Sequence, residues 1–177
     1  MFSEEMSIRG YIMATEEEMR SKRCCFTGHR PEKLHITEEE AKAWLSEKID
    51  EAISDGFVTF ISGMAMGVDL WAAQIVLDRK KTNPELHLIA ATPWGGFANR
   101  WHEEWKTVYD TVWKAADLTK IVCDHYHKGV FQQRNEWMVD HSSRVIACYS
   151  GEKGGTRNTI EYAQRKGVQV IVSQQSE

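Results

Sequence analysis

Residues 58–69 read Val-Thr-Phe-Ile-Ser-Gly-Met-Ala-Met-Gly-Val-Asp, an apolar run that ends in a glycine-containing loop. The run Val58–Ile61 predicts a buried strand, and apolar residues that recur from Val68 to Val76 predict a helix directly after the loop. A strand, a glycine loop and a helix form one unit of a parallel α/β sheet, and the N–H groups at such a helix N-terminus can bind an anion. The loop has neither the lysine of a Walker motif nor the G-x-G-x-x-G spacing, so neither standard nucleotide motif applies.

The same alternation of short apolar runs and helical patterns continues on both sides of this stretch. The other predicted strands are 24–27, 86–91, 121–123, 145–149 and 168–172. A capping box, Thr37-x-x-Glu40, begins the first helix of the series and Gly56 ends it. The remaining predicted helices are 68–76, 101–115, 131–142 and 156–166. We therefore predict a Rossmann-like three-layer α/β sandwich with a mostly parallel sheet of about six strands.

Composition limits the possible classes of protein. The chain has 177 residues, with 22 Lys and Arg against 26 Asp and Glu, which gives a net charge of −4. This acidic balance opposes nucleic-acid binding, and no apolar run approaches the roughly 20 residues that cross a bilayer. Residues 1–21 are predicted to be an N-terminal extension, poorly ordered or helical, ahead of a domain that spans 22–177.

Cysteine spacing argues against a metal site. Cys24, Cys25, Cys123 and Cys148 form no C-x-x-C pair and no zinc-type cluster with histidine. Three of them lie in or beside apolar runs, which predicts buried, reduced thiols. With no signal peptide apparent in the sequence, we expect a cytoplasmic protein without a bound metal or an assigned cofactor.

The loops at the carboxyl ends of the strands carry the candidate site, because open α/β sheets bind ligands there. The residues that we predict to bind a ligand are Gly28, His29, Arg30, Ser62, Gly63, Gly67, Asp69, Trp94, Asn135, Asp140, Gly154, Gly155 and Thr156. Glycines let backbone N–H groups approach a phosphate, and Arg30 offers a bidentate fork. Structural alternatives stay open: Asp69 can interact with a helix dipole, and the segment 132–140 can be a solvated helix face.

Seven tryptophans divide into two groups by position. Trp101 and Trp105 are four residues apart on a predicted helix face, which favours core packing or a dimer interface. Trp94 follows a strand directly, in a glycine-rich loop at the predicted ligand edge. Its ring could therefore stack on a nucleobase.

Four motifs in order, at residues 24–31, 62–73, 134–140 and 154–156, resemble the YpsA-like branch of the SLOG superfamily. The resemblance covers about residues 22–173. It implies a Rossmann-like fold that binds a nucleotide-derived ligand such as ADP-ribose, NAD or a mononucleotide. It also implies a homodimer and a link to bacterial cell division or nucleotide sensing.

The superfamily also contains the "lonely guy" phosphoribohydrolases, which cleave the N-glycosidic bond of nucleoside 5′-monophosphates. Positions that match their motifs are Arg134, Met138, Gly154, Gly155 and Glu161. This likeness implies catalytic roles for Arg134 and Glu161. Asn135 replaces a lysine of those enzymes, and Arg157-Asn158 stands where they have Gly-Thr.

Three functional hypotheses remain at this point. The favoured one is a binding or sensor protein for a nucleotide-derived ligand. The second is a nucleoside 5′-monophosphate N-glycosidase. The third is a nucleic-acid or protein interaction module related to DprA, which the acidic balance disfavours.

Overall fold

The computed structural model describes residues 14–173, which alternate between strands and helices. The strands are β1 (Arg23–Gly28), β2 (Thr59–Ser62), β3 (His87–Thr92), β4 (Leu118–Ile121), β5 (Arg144–Cys148) and β6 (Gln169–Val172). The helices are α1 (Glu16–Arg20), α2 (Glu38–Ser54), α3 (Val68–Lys80), α4 (Glu103–Ala115), α5 (Val130–Asp140) and α6 (Gly155–Arg165). This element order confirms the predicted Rossmann-like α/β sandwich.

All neighbouring strands of the sheet run parallel, in the order β4-β3-β2-β1-β5-β6. The chain moves outward from β1 to β4 and then returns to place β5 on the other side of β1. The strand order therefore reverses between β1 and β5. Such a switch point opens a crevice at the carboxyl ends of the two strands, which is where ligands bind in open α/β sheets.

Helices cover both faces of the sheet. On one face Phe26 and Phe60 stack with ring centroids 5.9 Å apart and pack with residues of α2, α3 and α4. On the other face Cys25 and Ile61 pack with residues of α5 and α6. Successive residues of a strand point to opposite faces, so each central strand needs apolar side chains at every position. That need explains the continuous apolar runs in the sequence.

The four cysteines are free and buried, as predicted. Burial raises the pKa of Cys25 to about 12, so its side chain is a neutral thiol at pH 7. A thiol of this kind is a small core residue rather than a nucleophile or a metal ligand.

The predicted position of the fourth strand is wrong: it begins three residues too late and ends two residues too late. The sequence predicts a strand at the apolar run 121–123, whereas β4 is Leu118–Ile121 and pairs with β3 from Ile89 to Thr92. Because β4 is the edge of the sheet, all four of its residues are exposed. An edge strand does not need a continuous apolar run, and the misleading run continues beyond its end.

The start of α2 follows the predicted capping box. The Thr37 hydroxyl accepts a hydrogen bond from the Glu40 N–H at 3.2 Å, and Glu40 Oε2 accepts from the Thr37 N–H at 2.8 Å. These two bonds satisfy donors that a helix N-terminus otherwise leaves open.

Part of the predicted N-terminal extension is helical and is attached to the domain. Within it, α1 begins after Thr15, and Arg20 Nη1 donates to the Ser142 carbonyl at 2.9 Å, just ahead of β5. Residues 1–13 of the same extension lie outside the described range.

Candidate functional site

The crevice between the ends of β1 and β5 contains a cavity of about 300 Å³. Its walls come from the loop after β1, the starts of α3 and α6, and the inner side of α5. Nine of the predicted site residues line it: Gly28, His29, Arg30, Asp69, Arg134, Asn135, Gly154, Gly155 and Thr156. The topology thus brings the separate strand-end motifs into one cleft.

Asp69 and Arg134 place a buried carboxylate and a buried guanidinium in this cleft. Their charged ends lie beside Gly63: a Cβ added there would fall 2.7 Å from Asp69 Oδ2 and 2.9 Å from Arg134 Nη1. Arg134 Nη1 donates to the Gly63 carbonyl, and Arg134 Nε donates to Asn135 Oδ1 at 2.8 Å. Position 63 therefore requires glycine, since a side chain would displace both charged groups.

Burial shifts the pKa of both Asp69 and Arg134. It raises the pKa of Asp69 to about 6, although Arg134 and the Ala65 N–H favour the carboxylate. Burial also lowers the pKa of Arg134, against the attraction of Asp69. A guanidinium stays protonated in proteins, so at pH 7 the cleft presents a cation beside a hydrogen-bond acceptor. This combination suits a phosphate next to a sugar hydroxyl.

The loop between β2 and α3 holds Asp69 in position. Ser62 Oγ donates to the Asp69 carbonyl at 2.8 Å and accepts from the Met64 N–H at 3.2 Å. Gly67 precedes α3 with a φ of +88°, a conformation that favours glycine. Ser62 and Gly67, which the sequence predicts to bind ligand, lie behind the cleft lining and shape the loop.

The glycine loop before α6 forms the end of the cleft best suited to an anion. Helix α6 begins at Gly155, one residue earlier than predicted, and no side chain at its N-cap Gly154 bonds to the first turn. The positive end of the helix dipole is therefore open toward the cleft. Besides Arg134, three cationic side chains line the same cavity: Arg30, Lys33 and Lys153.

His29 is a buried residue at the cleft. Its ring centroid lies 5.2 Å from that of Tyr149, and its Nε2 has no hydrogen-bond partner within residues 14–173. Burial lowers the pKa of His29. The imidazole is therefore neutral at pH 7 and adds no charge for binding an anion.

Asp140 and Glu161 also lie outside the lining of the cleft. Asp140 ends α5, and its Oδ1 accepts a hydrogen bond from the Tyr162 hydroxyl at 2.8 Å. Glu161 lies on α6, and its Oε1 accepts from Arg157 Nε at 2.8 Å. Of the two residues predicted to be catalytic, the structure brings Arg134 into the cleft and leaves Glu161 paired elsewhere.

A second cavity, of about 530 Å³, adjoins the cleft and is called the aromatic cavity below. It shares Arg30, Phe97 and Phe131 with the cleft. Trp94 lies in its wall. The tryptophan ring makes edge-on contacts, at centroid distances of 5.3, 5.1 and 5.7 Å, with Phe97, Tyr126 and Phe131.

Sequence reasoning missed several side chains that line these cavities: Lys33, Phe97, Tyr126, Phe131 and Lys153. Two of them, Tyr126 and Phe131, follow the fourth strand. With β4 ending at Ile121, the segment 122–131 is a strand-end loop and the start of α5, which is the position where site residues are expected. Lys153 lies in the same strand-end loop as the predicted Gly154 and Gly155.

A pH-dependent stability follows from the buried Asp69. Between about pH 4 and pH 6 the folded protein retains a proton that the unfolded chain has lost, so this group lowers the free energy of unfolding as the pH rises. The loss is on the order of 3 kcal/mol for a shift from 3.8 to about 6. We expect Asp69→Asn to remove this slope, as measured by urea unfolding at pH 4, 5, 6 and 7. An unchanged slope in the variant would contradict the shifted pKa.

The described part of the chain supports neither a metal site nor a membrane-spanning helix. No group of three or more His, Cys, Asp or Glu side chains in it is placed to hold a metal ion. None of the helices within residues 14–173 has the length and apolar character needed to span a membrane.

Together the fold and the cleft define a Rossmann-like α/β domain whose switch-point cleft is lined by cationic side chains and by the N-terminus of a helix. The family model described as "YspA SLOG family" matches residues 24–171, and the chain belongs to this family. The resemblance predicted from the four motifs is thereby confirmed.

Relatives come from several bacteria. UPF0398 protein SH1465 of Staphylococcus haemolyticus is 28% identical over 138 residues, which are 73% of this chain and 74% of the relative. The uncharacterized SPbeta prophage-derived protein YoqJ of Bacillus subtilis is 35% identical over 118 residues, which are 60% of this chain and 69% of YoqJ.

Solved structures of similar fold include DNA processing protein A from two species. The Helicobacter pylori protein has a TM-score of 0.63 and 20% identity, with 91% of this chain and 68% of that one covered. The Streptococcus pneumoniae protein has a TM-score of 0.63 and 19% identity, with 89% and 52% covered. At this identity the likeness supports the fold alone.

Proposed function

We propose that this protein is a cytoplasmic binding or sensor protein for a nucleotide-derived ligand such as ADP-ribose, NAD or a mononucleotide. One observation carries the proposal: the buried guanidinium of Arg134 and the open N-terminus of α6 line the same switch-point cleft. Asp69 already offsets part of the Arg134 charge, but the N–H groups of an uncapped helix N-terminus still need acceptors. A bound phosphate supplies those acceptors and is attracted by the guanidinium.

The carboxylate of Asp69 narrows the class of ligand. A negative group beside the guanidinium weakens the binding of a bare phosphate, because the two anions repel each other. A ligand that presents a hydroxyl to Asp69 and a phosphate to the cations would satisfy both groups. Sugar phosphates have this pattern, and nucleotides are sugar phosphates.

Binding is favoured over nucleotide cleavage because of the position of Glu161. The N-glycosidase hypothesis requires a carboxylate at the sugar, whereas the Glu161 side chain is 2.8 Å from Arg157 Nε and lies outside the cleft lining. We expect no release of free base from nucleoside monophosphates, as checked by chromatography.

Single-stranded nucleic acid is the second candidate ligand. Cationic and aromatic side chains lie side by side here, as they do in strand-binding grooves. The Helicobacter pylori DNA processing protein A, which shares the fold, has a single-stranded DNA binding mode. The net charge of −4 opposes extended phosphate contacts, so a small ligand is favoured.

A substitution at Gly155 tests whether the cleft binds a phosphate at the start of α6. A Cβ at this position would meet nothing closer than Asn135 Nδ2 at 3.8 Å, so the fold accepts a side chain there. Gly155→Asp places a carboxylate at the positive end of α6, where the helix dipole favours it by about 0.3–1 kcal/mol while a ligand phosphate is repelled. We expect ADP-ribose affinity in calorimetry to fall at least about tenfold, with the thermal midpoint maintained.

Gly155→Asn is the matched control, because it has nearly the same shape without the charge. It should weaken binding much less than Gly155→Asp does. The proposal fails if ADP-ribose, NAD and AMP all show no binding at millimolar concentration, or if Gly155→Asp binds as tightly as the unaltered protein.

A further inference from the structure

The aromatic cavity carries exposed rings that core packing does not explain. Tyr126 is 62% exposed and Phe131 is 40% exposed, and both line this cavity. Trp94 and Trp101 add two more large rings to its walls. Clustered exposed aromatic side chains next to a polar cleft are typical of ligand-binding sites rather than of ordinary surface.

The cavity is held open by the buried core beneath it. Phe97 is 6% exposed, and its ring contacts the rings of Trp94 and Trp101 with centroids 5.3 and 4.9 Å apart. These edge-on contacts fix the tryptophan rings before any ligand arrives. A preformed aromatic wall binds a flat ring with little loss of conformational entropy.

Arg30 connects the aromatic cavity to the cleft, because it lines both. The Arg134 guanidinium also lies over the Phe97 ring, with its central carbon 5.8 Å from the ring centroid. A molecule with its phosphate at the start of α6 can therefore extend past Arg30 into the aromatic cavity. Charge lies at one end of this path and aromatic surface at the other.

We propose that the aromatic cavity binds the base of the same nucleotide whose phosphate lies in the cleft, an inference that rests on the proposed function. The base stacks against Phe131, Trp94 and Tyr126. Asn99 and Arg100 also line the cavity and supply donors for the edge of the base. The ligand class is thus a nucleotide with its aromatic base present, and a sugar phosphate without a base binds more weakly.

A comparison of two ligands tests this inference by calorimetry. AMP carries the base, and ribose 5-phosphate is the same sugar phosphate without it. We expect the unaltered protein to bind AMP at least about tenfold more tightly, because stacking on aromatic side chains is worth roughly that factor per base or more. We also expect Tyr126→Ala to remove most of this difference while leaving the affinity for ribose 5-phosphate unchanged, because Tyr126 lines the aromatic cavity but not the cleft.

Two more variants complete the experiment. Trp94→Phe keeps an aromatic ring in the wall, and quenching of tryptophan fluorescence by ADP-ribose should fall in this variant. Leu118→Ala is the control, because Leu118 is 58% exposed, is apolar and lies outside the aromatic cavity. Its two affinities should equal those of the unaltered protein.

The possible failures are distinguishable. Binding of neither ligand overturns the proposed function and this inference together. Equal affinities for the two ligands, or equal weakening of both by Tyr126→Ala, overturn the aromatic site and leave the phosphate cleft standing. Tighter binding of a thymidine 12-mer than of ADP-ribose, lost in Tyr126→Ala, would assign the aromatic cavity to a nucleic-acid strand instead.

Discussion

Replacing Arg134 with methionine is expected to abolish ADP-ribose binding and to lower the free energy of unfolding by about 3 kcal/mol at pH 7. The guanidinium is buried, donates to the Gly63 carbonyl and to Asn135 Oδ1, and attracts the Asp69 carboxylate. Methionine fills a similar volume but satisfies none of these groups. Calorimetry measures the first effect and urea unfolding the second.

The loss of stability should depend on pH. Removal of the guanidinium takes away the cation that favours the Asp69 carboxylate, which raises the pKa of Asp69 further. At pH 5 Asp69 is already mostly protonated in the unaltered protein, so Arg134→Met should cost less stability there than at pH 7. Arg134→Lys is the control: it keeps the charge, loses the bidentate fork and should retain partial binding. Equal destabilisation at both pH values would contradict the proposed interaction between the Arg134 guanidinium and the Asp69 carboxylate.

Most of the fold could be predicted because central parallel strands leave a strong signal in the sequence. Both faces of β1, β2 and β5 are covered by helices, so these strands appear as continuous apolar runs. The capping box at Thr37 marked the start of α2 to the residue. The edge strand β4 has exposed side chains and lacks that signal, which is why its position was predicted wrongly.

The sequence predicts which loops form the candidate site. It does not predict which side chains pair there. Parallel strands place their carboxyl ends at one edge, so the loops after β1 and β5 had to meet. Glu161 has an arginine four residues away on each side, Arg157 and Arg165, and spacing does not show that it pairs with Arg157. The raised pKa of Asp69 depends on its burial, which local spacing does not encode. The sequence also does not show that Phe131 would stand beside Trp94, because the two are far apart along the chain.

A large loss of stability is also expected from substitution of Gly28, the last residue of β1. The sequence predicts that this glycine admits a ligand to the backbone, and the structure adds a packing reason. A Cβ on Gly28 would lie 2.5 Å from the Cβ of Val68, the first residue of α3, which is buried. Strand and helix approach so closely here that only glycine fits. The contact also sets the position of Asp69, the next residue of α3.

Gly28→Ala is therefore expected to lower the free energy of unfolding by about 1–3 kcal/mol, as overpacking of a rigid core does. The shift of α3 should also weaken ADP-ribose binding. Gly95→Ala is a matched control, because a Cβ there would meet only Ile121 Cδ1 at 3.9 Å. It should change stability by less than about 0.5 kcal/mol.

A double-mutant cycle with Val68→Gly shows whether the clash itself is the cause. Glycine at position 68 removes the Cβ and both Cγ atoms that a Cβ at position 28 would approach, at 2.5, 2.5 and 2.6 Å. Gly28→Ala should then destabilise the Val68→Gly background less than it destabilises the unaltered protein, by at least about 1 kcal/mol. If the two losses are equal, the requirement for glycine at position 28 does not come from packing against Val68, and access of a ligand to the backbone becomes the better explanation.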